Sequence, residues 1–382
     1  MKKQIKKIKK STYIIGFILL ILTFVSCDKK STINKTITLE QYAQGFEIEI
    51  FTDHTKLIIK SPYPNSKNDL NYFLVNDKTD LSKFEASDIL IQIPIQHIVV
   101  TSTTHIPMLE LLDVQNTLVG FPNTEYISSK KTRSLIDKNK IQELGTDSSI
   151  NTEILIDLKP ELVMAFAMSA GNKSLSTIEK AGIPVIYNGD WLEETPLGRA
   201  EWIRVFGALY NLDKKADSIF KNIESDYNNA KELANKSKST PTILSGVMFK
   251  DVWNLPAGES FVAQFLKDAN TNYLWNNTKG TGSLQLNFEN VLDKGKDAEI
   301  WIAPGHYTSK EQLLNASSHY NEFDAFNKNS IYTFANKKGE TGGVVYYELA
   351  PTRPDLVLQD IIKIAHPSVL PNYELTFFEK MN

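Results

Sequence analysis

Cysteine is nearly absent from this chain of 382 residues, which has a single one, Cys27. A lone cysteine cannot form an internal disulfide, and one thiol cannot build the cysteine-based sites that bind structural zinc. Packing of apolar side chains must therefore hold the fold together. No low-complexity tract interrupts either half of the chain.

Signature motifs of common enzyme classes are also missing. The sequence has no Gly-x-Ser-x-Gly elbow, no His-Glu-x-x-His zinc helix and no glycine loop that cradles phosphates. Ser102 and His105, or Ser169 with His105 and an acid, could be assembled into a nucleophile set, and paired carboxylates for glycoside cleavage stay open. We expect a protein that binds without catalysing and needs no cofactor, with an extracytoplasmic hydrolase as the alternative.

The start of the chain predicts export. Residues 2–10 carry six Lys and no acid, an apolar run covers residues 13–25, and Ser26 precedes Cys27. This is the pattern of a secretory signal, with an uncleaved anchor helix as the alternative. Loss of six Lys with residues 1–26 takes the formal charge from −3 to −9. A domain with that charge is not expected to bind nucleic acid.

One short motif occurs twice, once in each half of the chain. Residues 151–153 (NTE) lead into the apolar run Leu162–Phe166, and residues 287–289 (NFE) lead into residues 298–303. Each copy has an Asn suited to cap a helix, a carboxylate in the first turn and then residues typical of a buried strand. Two such units predict two similar α/β lobes with a cleft between them.

Between the lobes the apolar residues follow a helical period. They recur at steps of three and four from Ala216 to Ala234, which predicts a rigid helix joining the lobes or, alternatively, a coiled-coil partner helix. Before the first lobe, residues 46–60 alternate as in a β-hairpin. The fold class is therefore α/β, with two Rossmann-like lobes joined by a long rigid helix. The expected segments are a signal peptide (1–26), a tether (27–36), an N-terminal lobe with a β-hairpin extension (37–194), linker helices (195–237) and a C-terminal lobe (238–382).

The ordered set of motifs resembles the substrate-binding proteins of iron-complex and vitamin B12 ABC importers. The resemblance covers residue 95 to the end and leaves the extension without a role. Residues 22–27 also loosely resemble a bacterial lipobox, although the usual Leu directly before the small residue is missing. The segments that carry the family resemblance are IVV (98–100), LVG (118–120), NTE (151–153), KPELV (159–163), AGIPV (181–185), GESF (258–261), NFE (287–289) and RPD (353–355).

The resemblance implies a periplasmic-binding-protein fold with a helical backbone and limited closure around a large ligand. The expected ligand is a ferric siderophore, haem or a corrinoid, and the expected partner is an ABC importer permease. The lipobox implies lipidation of Cys27 and anchoring to a membrane, and the protein is expected to be a monomer. Glu153 and Glu289 are expected to dock on basic residues of the permease. Alternatively, both carboxylates only favour the dipoles of their own helices.

The ligand is expected at the carboxyl ends of the strands, where open α/β sheets bind theirs. Aromatic faces with a few polar groups suit a flat or chelated organic ligand, although any one of these aromatic residues is as suited to core packing. The expected lining residues are Thr104, His105, Met168, Tyr187, Trp191, Trp253, His306, Tyr307, Tyr346 and Arg353.

Arginine and histidine leave alternatives open. The chain has four Arg, of which Arg353 could pair with a ligand carboxylate or hydroxamate oxygen, or with Asp355. His105 and His306 fall at expected cleft edges of opposite lobes. Either could supply an axial ligand to a metal centre or have a structural role. Direct binding of zinc or manganese is the remaining alternative.

Overall fold

The computed structural model describes residues 33–36, 42–60, 62–146 and 149–382, with the backbone alone for residues 33–36. The expected signal peptide and Cys27 lie outside these residues. No helix in the described part of the chain combines the length and the apolar character needed to span a membrane.

The first described residues form a five-stranded sheet, the extension sheet. The hairpin expected at residues 46–60 is confirmed, with Phe46 opposite Ile59. One face is buried: Leu57 and Ile59 alternate along β3, Tyr72 and Leu74 alternate along β4, and Leu57 lies opposite Tyr72. The strands, in sheet order, are β1 (Ile33–Thr36, which falls in the expected tether), β2 (Phe46–Phe51), β3 (His54–Ile59), β4 (Leu70–Val75) and β5 (Ile89–Gln92).

Two buried carboxylates attach this sheet to the rest of the chain, one in the N-terminal lobe and one at the end of the helix Pro196–Glu201. Glu193 accepts hydrogen bonds from the backbone N–H groups of Gln44 and Gly45, each at 2.9 Å. Glu201 accepts from the N–H groups of Tyr42 and Ala43 at 2.8 and 2.9 Å. Four successive amides are thus satisfied by these two acids, and the entry to β2 is fixed in place.

We expect Glu193→Gln to destabilise this attachment. The carboxylate also accepts from Trp202 Nε1 at 2.9 Å, so its two oxygens serve three donors in all. An amide side chain would place an NH₂ group against one of these donors, at a cost of about 2 kcal/mol in unfolding free energy. Equilibrium denaturation measures the loss. Glu194→Gln is the matched control. Glu194 is the exposed neighbour of Glu193, so its substitution should change the unfolding free energy by less than about 0.5 kcal/mol. Equal effects of the two substitutions would contradict the prediction.

The N-terminal lobe is built around a parallel sheet. Its central strand, β6 (Ile98–Val100), pairs with β7 (Leu118–Phe121) on one side and with β11 (Leu162–Phe166) on the other. Both pairings are parallel, and so is the pairing of β11 with β12 (Val185–Asn188). The strands are β6 (Ile98–Val100), β7 (Leu118–Phe121), β8 (Gln142–Glu143), β11 (Leu162–Phe166) and β12 (Val185–Asn188), with a small pair β9 (Gly145–Thr146) and β10 (Ser149–Ile150). The helices are α1 (His105–Leu111), α2 (Lys130–Asp137), α3 (Thr152–Asp157) and α4 (Lys173–Lys180).

Three helices lead from the first lobe to the second: α5 (Pro196–Glu201), α6 (Ile203–Leu209) and α7 (Asp213–Ala234). The apolar stripe expected on α7 is buried. This helix is tied to both lobes, since Lys215 Nζ lies 2.6 Å from Asp113 in the N-terminal lobe and Tyr227 donates to Asp268 at 2.8 Å in the C-terminal lobe. Such a helix behaves as a spacer rather than as a flexible linker.

The C-terminal lobe repeats the architecture. Its main sheet has the order β16-β13-β18-β19-β20, parallel except for β20, and a three-stranded antiparallel sheet lies beside it. The strands are β13 (Thr242–Ser245), β14 (Val247–Phe249), β15 (Val252–Pro256), β16 (Asn272–Tyr273), β17 (Ser283–Leu286), β18 (Ile300–Ile302), β19 (Ile331–Thr333) and β20 (Glu379–Lys380). The helices are α8 (Phe261–Asp268), α9 (Phe288–Gly295), α10 (Lys310–Ala316), α11 (Asp324–Asn327), α12 (Val345–Leu349) and α13 (Pro354–Ala365).

The duplicated motif adopts the same local structure in both lobes. The Asn151 side chain caps α3 by accepting from the N–H of Ile154 at 3.1 Å, and Asn287 caps α9 by accepting from Asn290 at 2.9 Å. Each helix is followed by a buried strand, β11 and β18. Two lobes with these repeated units, joined by α7, confirm the expected fold class.

Candidate functional site

A cleft lies between the lobes at the carboxyl ends of their strands. It consists of three cavities of about 230, 270 and 430 Å³, and Tyr347 lines all of them. The first two also share Phe261, Phe265 and Tyr346. We treat these contiguous spaces around Tyr347 as one inter-lobe cleft.

Both lobes contribute strand ends to the walls. On the N-terminal side the walls include residues 101–103 after β6 and the last residues of β7 and β11, Phe121 and Phe166. On the C-terminal side they include Gly246 after β13 and Ala303 after β18. This is the position expected for a ligand of open parallel sheets, because the strand ends leave a crevice that no helix fills.

Arg199 is the cationic residue of the cleft wall. Its guanidinium lies 3.6 Å from the centroid of the Phe261 ring, across the boundary between α5 and α8. It also donates to the backbone oxygens of Trp191 at 2.7 Å and Glu193 at 3.3 Å. These contacts fix the planar group in one orientation, ready to meet an acidic or polar ligand atom.

A buried acid lies behind Arg199. Asp190 is 3% exposed and accepts a hydrogen bond from Thr104 Oγ1 at 3.1 Å. Burial raises the pKa of Asp190 to about 6, although the nearby Arg199 opposes the shift. Thr104 thereby joins the first helix of the lobe to the turn after β12 and keeps the cleft wall in shape.

A second contact between the lobes borders the cleft. In it, residues 339–348 pack on residues 125–129, and we call this contact the inter-lobe brace. Glu348 accepts from the N–H groups of Ser128 at 2.6 Å and Ser129 at 3.0 Å. Gly343 lies so close to Tyr126 that a Cβ atom at position 343 would come within 2.1 Å of the backbone carbonyl oxygen of Tyr126. A side chain at position 343 would therefore force the lobes apart.

The ten lining residues expected from the sequence fall in different places. Thr104 and Tyr346 line the cleft, and the Tyr346 ring stacks on Phe334 with centroids 4.4 Å apart. Five others do not line its three cavities: Met168, Tyr187, Trp191, His306 and Tyr307. Trp191 nevertheless packs on Phe166 of the wall, with ring centroids 5.3 Å apart, and supports it from behind.

The remaining three expected lining residues do not line the three cavities and have other partners. His105 is 1% exposed and packs against Phe206, and burial lowers its pKa to about 3, so it is a neutral core residue. Trp253 is fully buried and donates to the Ser245 oxygen at 3.1 Å. Arg353 forms a bidentate pair with Asp355 at 2.6 and 2.9 Å, which is the alternative the sequence left open.

The two acids expected to dock on a permease are both exposed, one at the start of α3 and one at the start of α9. Glu153 and Glu289 therefore give each lobe one exposed carboxylate at the start of an Asn-capped helix. Their role in docking stays a prediction.

Arg199 and Phe261 were not among the expected lining residues, although a helix start marks each of them in the sequence. Arg199 follows the helix start at Thr195 and Pro196 by one turn, and the helix places it beside the end of β12. Phe261 directly follows Ser260, which caps α8 by accepting from the N–H of Ala263 at 3.2 Å. In both cases a helix N-terminus marks a residue near a strand end.

Metal-ligating side chains are not grouped in the described residues: no set of three or more His, Cys, Asp and Glu could hold a metal ion there. The walls offer aromatic faces, backbone groups and one guanidinium. Such a surface can bind an organic molecule of several hundred Å³ by stacking and hydrogen bonding.

Comparisons with known proteins agree with this architecture. An uncharacterised lipoprotein of Methanocaldococcus jannaschii is 24% identical over 302 residues, which cover 77% of this chain and 70% of the relative. An uncharacterised ABC transporter substrate-binding lipoprotein of Bacillus subtilis is 32% identical over 97 residues, 25% of this chain and 30% of the relative. The structure of a possible iron-binding (periplasmic solute-binding) protein from Staphylococcus epidermidis aligns with a TM-score of 0.57 at 15% identity. It covers 72% of this chain and 99% of that chain.

The family described as periplasmic binding protein matches residues 98–337, well over half of the chain. This range includes both Asn-capped helices, the long helix between the lobes and most of the cleft wall. The chain belongs to the periplasmic binding protein family.

Proposed function

We propose that this protein is the extracytoplasmic substrate-binding component of an ABC importer. In this role it captures a ferric siderophore, haem or a corrinoid in the inter-lobe cleft and delivers it to the permease. The observation that carries the proposal is the cleft itself, formed at the strand ends of two lobes and lined by Tyr346, Tyr347, Phe261 and Arg199. Aromatic faces favour a bulky, partly planar ligand, and the guanidinium favours an acidic or carbonyl oxygen on it.

The location follows from the same proposal. The relatives in Methanocaldococcus jannaschii and Bacillus subtilis are named as lipoproteins. We propose that Cys27 carries the lipid after removal of residues 1–26, which anchors a monomer to the outer side of a membrane. Mass spectrometry of the N-terminal peptide from membranes tests this, and an unmodified residue 27 would contradict it.

Ligand capture is tested by a thermal-shift panel with haem, cobalamin, several ferric chelates, Zn²⁺ and Mn²⁺. We expect at least one chelate or corrinoid to raise the melting temperature, because a ligand that binds the folded state alone stabilises it. Stabilisation by the bare ions alone would favour a metal-ion carrier instead. Turnover of ester or glycoside reporters would favour a hydrolase.

Tyr347→Ala should weaken binding of whichever ligand the panel finds. The side chain is 56% exposed and lines all three cavities, so truncation removes contact area and leaves the fold intact. The expected loss is about tenfold in Kd, equivalent to one aromatic stacking contact. Titration with quenching of Trp fluorescence measures it. Leu314→Ala, at an exposed apolar residue of α10 that lines none of the three cavities, is the control and should leave Kd unchanged.

A further inference from the structure

A crevice separates the extension sheet from the N-terminal lobe. It holds a cavity of about 370 Å³, comparable in size to the cavities of the inter-lobe cleft. The extension sheet precedes residue 98, where the family match begins, so one wall of this crevice comes from outside the family core. The lining residues are Gln44, Gly45, Tyr63, Pro64, Asn65, Ser66, Gly189, Leu192, Glu193 and Glu194.

The extension side of the crevice is attached to the lobe at two points. The backbone at Gln44 and Gly45 is fixed by the buried Glu193 carboxylate. At the second point, the Tyr63 ring contacts Tyr187 of β12 edge to face, with centroids 6.2 Å apart. The loop that follows is closed by a hydrogen bond from the Ser66 N–H to the Tyr63 oxygen at 3.1 Å. The crevice is therefore preformed, which lowers the entropy cost of binding into it.

Three polar side chains of the crevice are uncommitted. Gln44, Asn65 and Glu194 are exposed and have no hydrogen-bond or ion-pair partner for their side chains within the described ranges. Glu193, in contrast, uses both oxygens on Gln44, Gly45 and Trp202. Two amides and one carboxylate are thus available to a bound molecule.

The charge of the residues that line the crevice determines which chemical groups of a bound molecule are favoured there. No Lys, Arg or His lines this cavity in the described part of the chain, and Glu194 is its uncommitted charge. An ionised carboxylate only accepts hydrogen bonds, whereas each amide can accept through its oxygen or donate through its NH₂ group. Glu194 therefore gives the crevice its preference for amines and hydroxyls over anions. The inter-lobe cleft, with Arg199 in its wall, has the opposite preference.

One turn of three residues, Asp190–Leu192, lies between the crevice and the cleft. Gly189 and Leu192 line the crevice. Asp190 binds Thr104 of the cleft wall, and the Trp191 oxygen accepts from Arg199 of the same wall. The crevice and the inter-lobe cleft are therefore bordered by the same short turn.

We propose that this crevice is a second subsite of the binding protein, which holds an amine- or hydroxyl-bearing arm of the ligand. This inference rests on the proposed function, because it assumes that the inter-lobe cleft holds a chelate. The extension sheet then adds specificity: it distinguishes chelates with a donor-rich arm from chelates of the same core with a neutral or acidic one.

Three probes with one metal centre test the subsite on the full chain. Ferric desferrioxamine B ends in a protonated amine, its N-acetyl derivative is neutral at that end and its N-succinyl derivative is anionic. We expect affinity to fall in this order, by about threefold at each step, as for one solvent-exposed charge pair. In Glu194→Gln the first and third probes should bind with nearly equal affinity. Isothermal titration calorimetry measures the three Kd values in each protein.

Two control variants separate the subsite from the cleft. Glu311→Gln makes the same chemical change at an exposed position of α10 and should preserve the order of the probes. Tyr347→Ala should weaken all three probes alike and also preserve their order. If Glu194→Gln keeps the wild-type order, or if haem or cobalamin binds while none of the three probes does, the subsite is disproved and the proposed function stands. If no chelate or corrinoid binds at all, both proposals fall.

Discussion

Uptake of the ligand should drop to background in the double variant Glu153→Ala, Glu289→Ala, while ligand affinity stays at the wild-type value. Both carboxylates are exposed in the first turn of Asn-capped helices, one on each lobe. A permease with two basic patches at a fixed distance can recognise this pair, because complementary charge speeds the encounter and fixes the register of the complex. Transport of a radiolabelled ligand in cells measures the first quantity, and titration of the purified protein measures the second.

The control for this experiment is a second charge-removing pair. Glu232→Ala on α7 and Glu311→Ala on α10 also remove two exposed carboxylates, so the change in net charge is identical. Normal uptake is expected from this pair. Normal uptake by the Glu153 and Glu289 variant as well would remove permease docking from the proposal. Weakened ligand affinity in that variant would instead place the two acids in ligand binding.

Glu348→Ala should loosen the connection between the lobes. The side chain is 3% exposed and binds two backbone N–H groups that lie 219 and 220 residues away in sequence. Its removal leaves these buried donors without acceptors, and we expect a loss of about 3 kcal/mol in unfolding free energy. Urea denaturation measures this loss. Pulsed electron paramagnetic resonance between labels at residues 137 and 311 should show a broader distance distribution. Glu379→Ala, at an exposed acid of β20, should change neither quantity.

The same residue gives the protein a specific dependence on pH. Burial raises the pKa of Glu348 to about 7 from 4.5, and the nearby Glu110 adds to the shift, while the N–H groups of Ser128 and Ser129 oppose it. The folded protein therefore holds this proton more tightly than the unfolded chain does. The contribution of Glu348 to unfolding free energy is largest at low pH and falls as pH rises from 4.5 to 7.

Glu348→Gln stays neutral at every pH and should lack this decline. The stability of the variant relative to wild type is expected to rise between pH 4.5 and 7. Asp190, whose pKa burial also raises, titrates in both proteins and cancels in the difference. A difference that stays constant over this pH range would show that Glu348 is ionised throughout.

Local patterns predicted the parts of this fold that local interactions determine. The two Asn caps and the β2–β3 hairpin lie where the sequence placed them, because each depends on residues within a few positions of one another. The extension was predicted as a β-hairpin. Its last strand, β5, was missed because its parallel pairing with β4 has no local turn signal.

The site was harder to predict, since a strand end indicates the edge of a sheet and not the direction of each side chain. His105 follows β6, which ends at the cleft, and Trp253 lies within β15. Helix geometry turns the first side chain into the core, and strand alternation turns the second inward. Arg353 pairs with its near neighbour Asp355. The contact of Glu348 with Ser128 joins residues 220 positions apart, and neither residue type marks the pairing.

The inter-lobe brace and the long helix α7 join the lobes at two separate places. The contact of Arg199 with Phe261 adds a third connection, so the lobes cannot swing freely about one hinge. Under the proposed function, wider opening of the cleft would have to break the hydrogen bonds from Ser128 and Ser129 to Glu348, so ligand release would depend on these identified atoms.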